Sequence, residues 1–274
     1  MQRSRGEIRV SFKNRDGTTA LDELYQSGSG KVKLARPEPG RLKEAVIINT
    51  TGGLTDGDEF VSDVHWREDT SAIVTTQAAE RIYLSRSGNA EIHSNLTIDD
   101  GACGLWLPQE TILFDGGRLK RSNSIEVSGN GQLIAVESCV FGRTAMGEIV
   151  NDGFFSDGWQ VKLDGKLVLA DRFELAGNIQ QKLDRPAIAN GATALATIVH
   201  VAANAVEACE NIRNTIADEN AIGGCSSLGP LTITRLFGKN AYELRQTTIR
   251  VLDLLMARAV PDITGSLLPR VWRL

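Results

Sequence analysis

The chain has 274 residues, 42% hydrophobic and 23% charged, the make-up of a folded globular protein with room for a full core. A net charge of -4 argues against nucleic acid as a partner, and no run reaches the ~18 apolar residues of a membrane-spanning helix. Cys103, Cys139, Cys209 and Cys225 contain no C-x-x-C pair and are too few for a disulfide framework.

The N-terminus MQRSRGEIRV has no apolar stretch, so no signal peptide is expected and the expected address is the cytoplasm. Residues 1–43 hold ten Lys or Arg against five Asp or Glu, leaving 20 against 29 for the rest. Such a basic arm fits an acidic neighbour or, more simply, a sheet edge blunted by positive charge. Residues 7–12 alternate as a strand. Residues 25–40 carry Gly28, Gly30, Pro37, Pro39 and Gly40 and are expected to be irregular. Within them GSGK (Gly28 to Lys31) imitates a phosphate loop. Tyr25 stands where the first glycine is required and Val32 where Ser or Thr must hold magnesium, so a flexible loop is expected. Residues 45–49 (AVIIN) read as a buried strand that ends in the glycine turns of TTGGLTDGD. Asp56, Asp58 and Glu59 imitate the start of a calcium loop, but its twelfth position is Arg67.

From there to about residue 175 strand follows strand, with turn signals every ~8–12 residues. Ala90, Ile92, Ser94, Leu96 and Ile98 share one face of period two. Ile125 and Val127 lead into Gly129-Asn130-Gly131, read as a hairpin turn with 133–139 returning. Trp159, Val161 and Leu163 lead into Asp164-Gly165, a type I′ signal answered by Leu167 and Leu169. The tail changes character. Residues 193–201 read as a strand, and Ala202, Ala205, Val206, Cys209, Ile212 and Ile216 as one face of a helix. Residues 231–237 read as another strand. Asn240 with Glu243 opens a second helix, striped by Leu244, Thr248, Val251, Leu252 and Leu255 and ended by Pro261. The expected fold is mainly β: a large multi-stranded body over 1–190, and an α+β portion over 191–274 in strand-helix-strand-helix order. With no sharp linker, 1–274 is expected to form a single domain.

The chemistry is sparse. His65, His93 and His200 lack metal-ligand spacing and read as satisfied strand residues. Glu110 with Asp115, or Glu137 with Glu148, could pair for acid–base work, but aromatic sugar platforms and an ordered nucleophile–base set are missing. What remains is a density of polar residues beside strands: Thr75, Thr76, Gln77, Glu80, Arg81, Gln109, Glu110, Asp115, Glu137, Arg143 and Glu148. Each alone reads as a solvated strand end. Together their hydroxyls, amides and carboxylates suit weak, exchangeable binding of hydrated hard or borderline cations.

Five stretches carry a resemblance: Asn49 to Leu54 (NTTGGL) with Gly57-Asp58, TTQAAERIY from Thr75, WLPQETILFDG from Trp106, GRTAMGE from Gly142, and PRVW from Pro269. They span most of the chain, and in them it resembles the urease accessory protein UreD (UreH) family. The resemblance implies a cytosolic scaffold, not an enzyme. It implies a mainly β fold with helix-like winding of strands and two C-terminal helices. It implies binding of urease apoprotein on one side and of UreF on the other, with UreG joining through UreF. It also implies no tightly bound cofactor but nickel ion in transit along a polar passage, with Thr75, Thr76, Gln77, Glu80, Gln109, Glu110, Asp115, Glu137, Arg143 and Glu148 as candidate lining. One departure is Gly223 to Ser227 (GGCSS), where a GAS-like turn is expected. Two other classes remain open: a β-helical enzyme acting on polysaccharide, and a chaperone that itself binds nickel tightly.

Overall fold

A computed structural model describes residues 3–36, 40–143, 146–219, 222–261 and 267–273. Pro37 and Pro39 of the stretch expected to be irregular, and Thr144 and Ala145 of GRTAMGE, lie outside the described residues. In chain order, β1 (Arg5–Arg15) and β2 (Thr18–Gly28) form an antiparallel pair. The chain kinks at Gly28, where φ is +54° and a Cβ would run into the Arg5 carbonyl, and enters β3 (Gly30–Leu34). GSGK is therefore a junction between two strands, not a flexible loop, and most of 25–34 is regular. Pairing with β1 on one side of the kink and with β4 on the other outweighs the glycines there.

Strands β4 (Lys43–Asn49), β5 (Glu59–Trp66), β6 (Ser71–Thr76), β7 (Glu80–Ile82), β8 (Ala90–Ile98), β9 (Cys103–Leu107), β10 (Thr111–Leu113), β11 (Arg118–Val127) and β12 (Gln132–Phe141) wind in coils. β5, β8 and β11 stack in parallel in a first sheet. β4, β6, β9 and β12 stack in parallel in a second. β7 and β10 form a short third wall that joins the end of β12. β13 (Gly153–Leu163) and β14 (Lys166–Gly177) close the first sheet, whose order is β14-β13-β11-β8-β5-β1-β2. Asp164 and Gly165, with φ of 49° and 75°, make the expected hairpin turn between them. Gly129-Asn130-Gly131 does not make a hairpin: β11 and β12 belong to different sheets, so the turn is a corner of the coil. Turn chemistry is the same in both cases, and only the pairing of the flanking strands differs.

A short helix α1 (Ile179–Leu183), not foreseen, leads to β15 (Ala194–Val201), which joins the second sheet antiparallel to β12. Helix α2 (Ala205–Asp218), β16 (Ile222–Leu228), β17 (Leu231–Gly238) and α3 (Ala241–Ala259) follow. The second sheet thus runs β16-β17-β15-β12-β9-β6-β4-β3. Residues 223–227 form strand β16 and not a turn, so the tail carries one strand more than expected. Asn240 caps α3 by accepting the Glu243 N–H at 2.9 Å; Glu243 answers to the Lys239 N–H and the Asn240 amide, a relaxed form of the capping box.

Two cores result. One fills the space between the sheets, with Trp66, Trp159, Phe12 and Phe155 fully buried; the other lies between the second sheet and α2/α3, around Leu105, Ile212, Leu252 and Trp272. β9 and β15 are buried at every residue because both their faces are covered. β5, covered on one face, alternates. The basic arm divides: Arg3, Arg5, Arg9 and Lys13 pair with carboxylates, while Lys31 and Lys33 stand exposed on β3, an outer edge of the second sheet.

Candidate functional site

A cavity of about 210 Å³ lies between the two sheets. Its apolar wall is Ile47, Phe60, Ile92 and Trp106; its polar wall includes Asn49, Thr76, Gln77, Glu80, Gln109, Arg121 and Glu137. Strand geometry explains the mixture. Arg121 and Asn123 occupy positions on β11 that alternate with exposed ones and match Leu119 and Ile125, so the pleat turns their polar groups inward. Glu137 enters from β12 on the opposite sheet.

Buried charge ties the sheets together at this point. Arg121 (2% exposed) donates from Nη1 to Glu137 Oε2 at 2.7 Å and from Nε to Asp157 Oδ1 at 2.8 Å. Trp106 Nε1 donates to Glu137 Oε1 at 2.9 Å, and Trp159 Nε1 to Asp157 Oδ2 at 3.1 Å. Asn123 adds a bond to Asp157 at 3.2 Å, and Thr111 Oγ1 accepts from Arg121 at 3.2 Å. Burial pushes Glu137 above the usual carboxylate range, against the pull of Arg121. Burial also works against the Arg121 charge, but Asp157 and Glu137 outweigh it and leave the guanidinium more basic than usual. Burying such a group of charges is tolerated because nearly every lone pair is met.

Glu80 stands half-buried in the same wall. Burial raises its pKa, opposed by the Asn49 amide that donates to Oε2 at 3.0 Å. Thr76 Oγ1 accepts from the Gln109 N–H at 2.8 Å, and the Gln109 Nε2 atom is buried without a partner. Five expected residues therefore meet at the cavity: Thr76, Gln77, Glu80, Gln109 and Glu137. Five do not line it. Thr75 donates to the Leu107 carbonyl at 2.6 Å and shares the β6 face of Ile73, toward the helical layer. Glu110 pairs with Arg245 of α3 at 2.6 Å. Asp115 accepts the Asn151 and Asp152 N–H groups at 2.7 and 3.1 Å, holding a loop. Arg143 and Glu148 form a two-pronged pair at 2.9 Å, with Arg143 over the Phe114 ring; the Arg143 hydrogen bond holds Glu148 below its ordinary pKa. The candidate carboxylate pairs thus fall apart: Glu110 is held by Arg245, Asp115 by a loop, and Glu137 and Glu148 by separate arginines. Arg121, Asp157 and Asn49 were missed, although a charged residue at an inward position of β11 was the available signal.

His65 pairs with Asp99 at 2.8 Å, and His93 bonds Ser122 at 2.7 Å. His200 departs from the expected satisfied imidazole: it is buried, its Nδ1 has no partner, and burial lowers its pKa to about 4. Burial pushes the thiols of Cys103, Cys139 and Cys225 up to about 12, so they are not thiolates at neutral pH. Among the described residues no three His, Cys, Asp or Glu side chains are grouped to hold a metal ion, and no helix is long and apolar enough to cross a membrane.

Comparison with known proteins supplies the frame for this geometry. The family model described as UreD urease accessory protein matches residues 4–273. A urease accessory protein UreD of Brucella suis is 40% identical over 97% of this chain and 92% of its own length. A UreD of Mesorhizobium japonicum is 37% identical over 100% of this chain and 95% of its own, and UreD 1 of Brucella anthropi 39% over 97% and 93%. With nearly its whole length matched, and its mainly β architecture carrying C-terminal helices, the chain belongs to the UreD family of urease accessory proteins.

Proposed function

We propose that this protein serves urease maturation in the cytoplasm as a non-catalytic scaffold. It holds urease apoprotein and a UreF-like partner, through which a UreG-like protein joins, and it offers nickel ion a polar passage through the inter-sheet cavity. The observation that carries this reading is the chemistry of the cavity wall. Glu80, Glu137, Thr76, Gln77, Gln109 and Asn49 present oxygen donors and no soft ligand. Such donors hold a hydrated divalent ion weakly and release it, as passage requires. Trp106 and Arg121 fix the Glu137 carboxylate in the wall, so its oxygens stand in one place along the passage. At about 210 Å³ the cavity falls below the ~300–1,000 Å³ usual for small-molecule sites, which disfavours an organic substrate.

The test replaces Glu80 by Gln, which keeps shape and removes charge. Glu148→Gln, away from the cavity, is the control. Glu80→Gln should still pull down urease and the UreF-like partner, while nickel content of the urease falls several-fold. Glu148→Gln should leave nickel loading near wild type. Equal loading by both variants, with partners retained, removes the cavity from the route.

A further inference from the structure

Residues 108–110 link β9 to β10, and two of them, Pro108 and Gln109, line the cavity. The link lies in no strand, so no ladder fixes it along its length. Its main chain makes two bonds to other residues of the wall. The Gln109 N–H donates to Thr76 Oγ1 at 2.8 Å, and the Glu110 carbonyl accepts the Glu80 N–H at 3.0 Å. Where the link stands therefore decides where Glu80 stands.

From behind, the link is held by the helical layer. Arg245, in the second turn of α3, donates from Nη1 to Glu110 Oε1 at 2.6 Å and to Gln109 Oε1 at 3.1 Å. Its Nη2 donates to the Val271 carbonyl at 3.0 Å, and the guanidinium lies over the Trp272 ring, 4.9 Å from the centroid. Trp272 is buried, and its Nε1 donates at 2.9 Å to the carbonyl of Leu107, the residue before the link and 165 positions away in sequence. The same carbonyl accepts from Thr75 at 2.6 Å. Two of the stretches that carry the family resemblance, WLPQETILFDG and PRVW, thus meet at Arg245. Arginine suits the place. It only donates, so it turns the oxygen of the Gln109 amide toward α3. Its planar fork reaches two side chains and a carbonyl at once, which a lysine cannot do.

We infer that Arg245 is a positioning residue for the cavity wall. It holds Gln109 by its side chain, and it holds Glu80 through Glu110. The Glu110 carboxylate takes the grip of Arg245, and the Glu110 carbonyl passes it on to the Glu80 main chain. Glu110 thereby serves the cavity without lining it. The consequence for nickel rests on the passage reading above.

Hydrogen exchange of the full chain and the nickel content of co-expressed urease, read together, test this. Arg245→Met removes the fork and leaves Glu110 charged and unpaired. Adding Glu110→Gln removes both charges, so the double variant should melt closer to wild type than Arg245→Met alone. In both variants the Glu80 amide should exchange at least about tenfold faster than in wild type, while amides of β11 and β13 keep their protection. Urease and the UreF-like partner should still be pulled down, and the nickel content of the urease should fall several-fold. A double variant that regains slow Glu80 exchange along with its melting temperature overturns the proposal, because the pair then only stabilises the fold. Wild-type Glu80 exchange in both variants overturns it too, whatever the nickel content. Fast Glu80 exchange with normal nickel loading supports the positioning and removes the passage reading, so the two failures are told apart. Should Arg245→Met fail to fold, Arg245→Lys keeps the charge and loses the fork. Fast Glu80 exchange is expected there as well, and wild-type exchange overturns the proposal.

Discussion

At Arg121 two carboxylates and one guanidinium share a space with little water, and neighbouring residues are arranged around that balance. Removing the cation leaves Glu137 and Asp157 facing each other across the sheets. Arg121→Met should therefore cost about 3–5 kcal/mol, read as a lower urea midpoint. His200 gives a pH signature. Its folded pKa of about 4 lies below the ordinary 6.5, so below pH 6.5 the unfolded chain takes up a proton that the native protein refuses. Stability is then lost as pH falls from 6.5 toward 4, by up to about 3 kcal/mol. His200→Gln should flatten that slope in urea melts between pH 7 and 4.5. The sequence shows His200 as a strand residue but not that its ring lacks a partner, and Arg121 went unmarked. Arg121 sat in a run of polar residues, RLKRSNS, where only the alternation with Leu119 and Ile125 marks which ones face inward. Glu110 and Glu148 stood out for their carboxylates, but an arginine satisfies each, Arg245 from 135 positions away in sequence.

At the scale of elements, periodicity was legible wherever one face is wet. β5, β8 and β11 alternate, and α3 carries both its stripe and its cap. Asn240→Ala should cost about 1 kcal/mol by freeing the Glu243 N–H, seen as a few degrees in the thermal midpoint. Strands covered on both faces, such as β15, showed only as apolar runs. β16 escaped notice because two glycines and two serines give no strand propensity; its place is set by pairing with β17. Sheet membership was not legible either, since a corner and a hairpin use the same glycine and asparagine turns.

For the whole molecule, the helical stripes are not the main exposed apolar surface; α2 and α3 bury theirs in the second core, except that Val206, expected on the α2 face, is 57% exposed because it lies beside Ala205 and off the line of Ala205, Cys209, Ile212 and Ile216. Tyr83 and Leu84 stand exposed instead, at 38% and 59%, beside the loop that carries Phe114, with Ile149 at 48% close by. A patch of that kind fits a partner better than water. Co-expression with a UreF-like protein should raise soluble yield, and Leu84→Ser should raise the yield of the chain alone. An unchanged yield in both experiments removes the patch from the account of solubility.

The position of β1 has a consequence for synthesis. It lies between β2 and β5, and Ser4 is held by Asp58, 54 residues later. The first hairpin can form as soon as it leaves the ribosome, but its inner edge stays bare until residues 59–66 have followed. At ~5–20 residues per second that edge waits a few seconds on every nascent chain. Each later coil repeats the delay, since β8 waits for β11 and β9 for β12. Slower growth temperatures or slower codons after residue 28 should lengthen this exposure, so the insoluble fraction should follow the rate of translation as well as the stability of the finished fold.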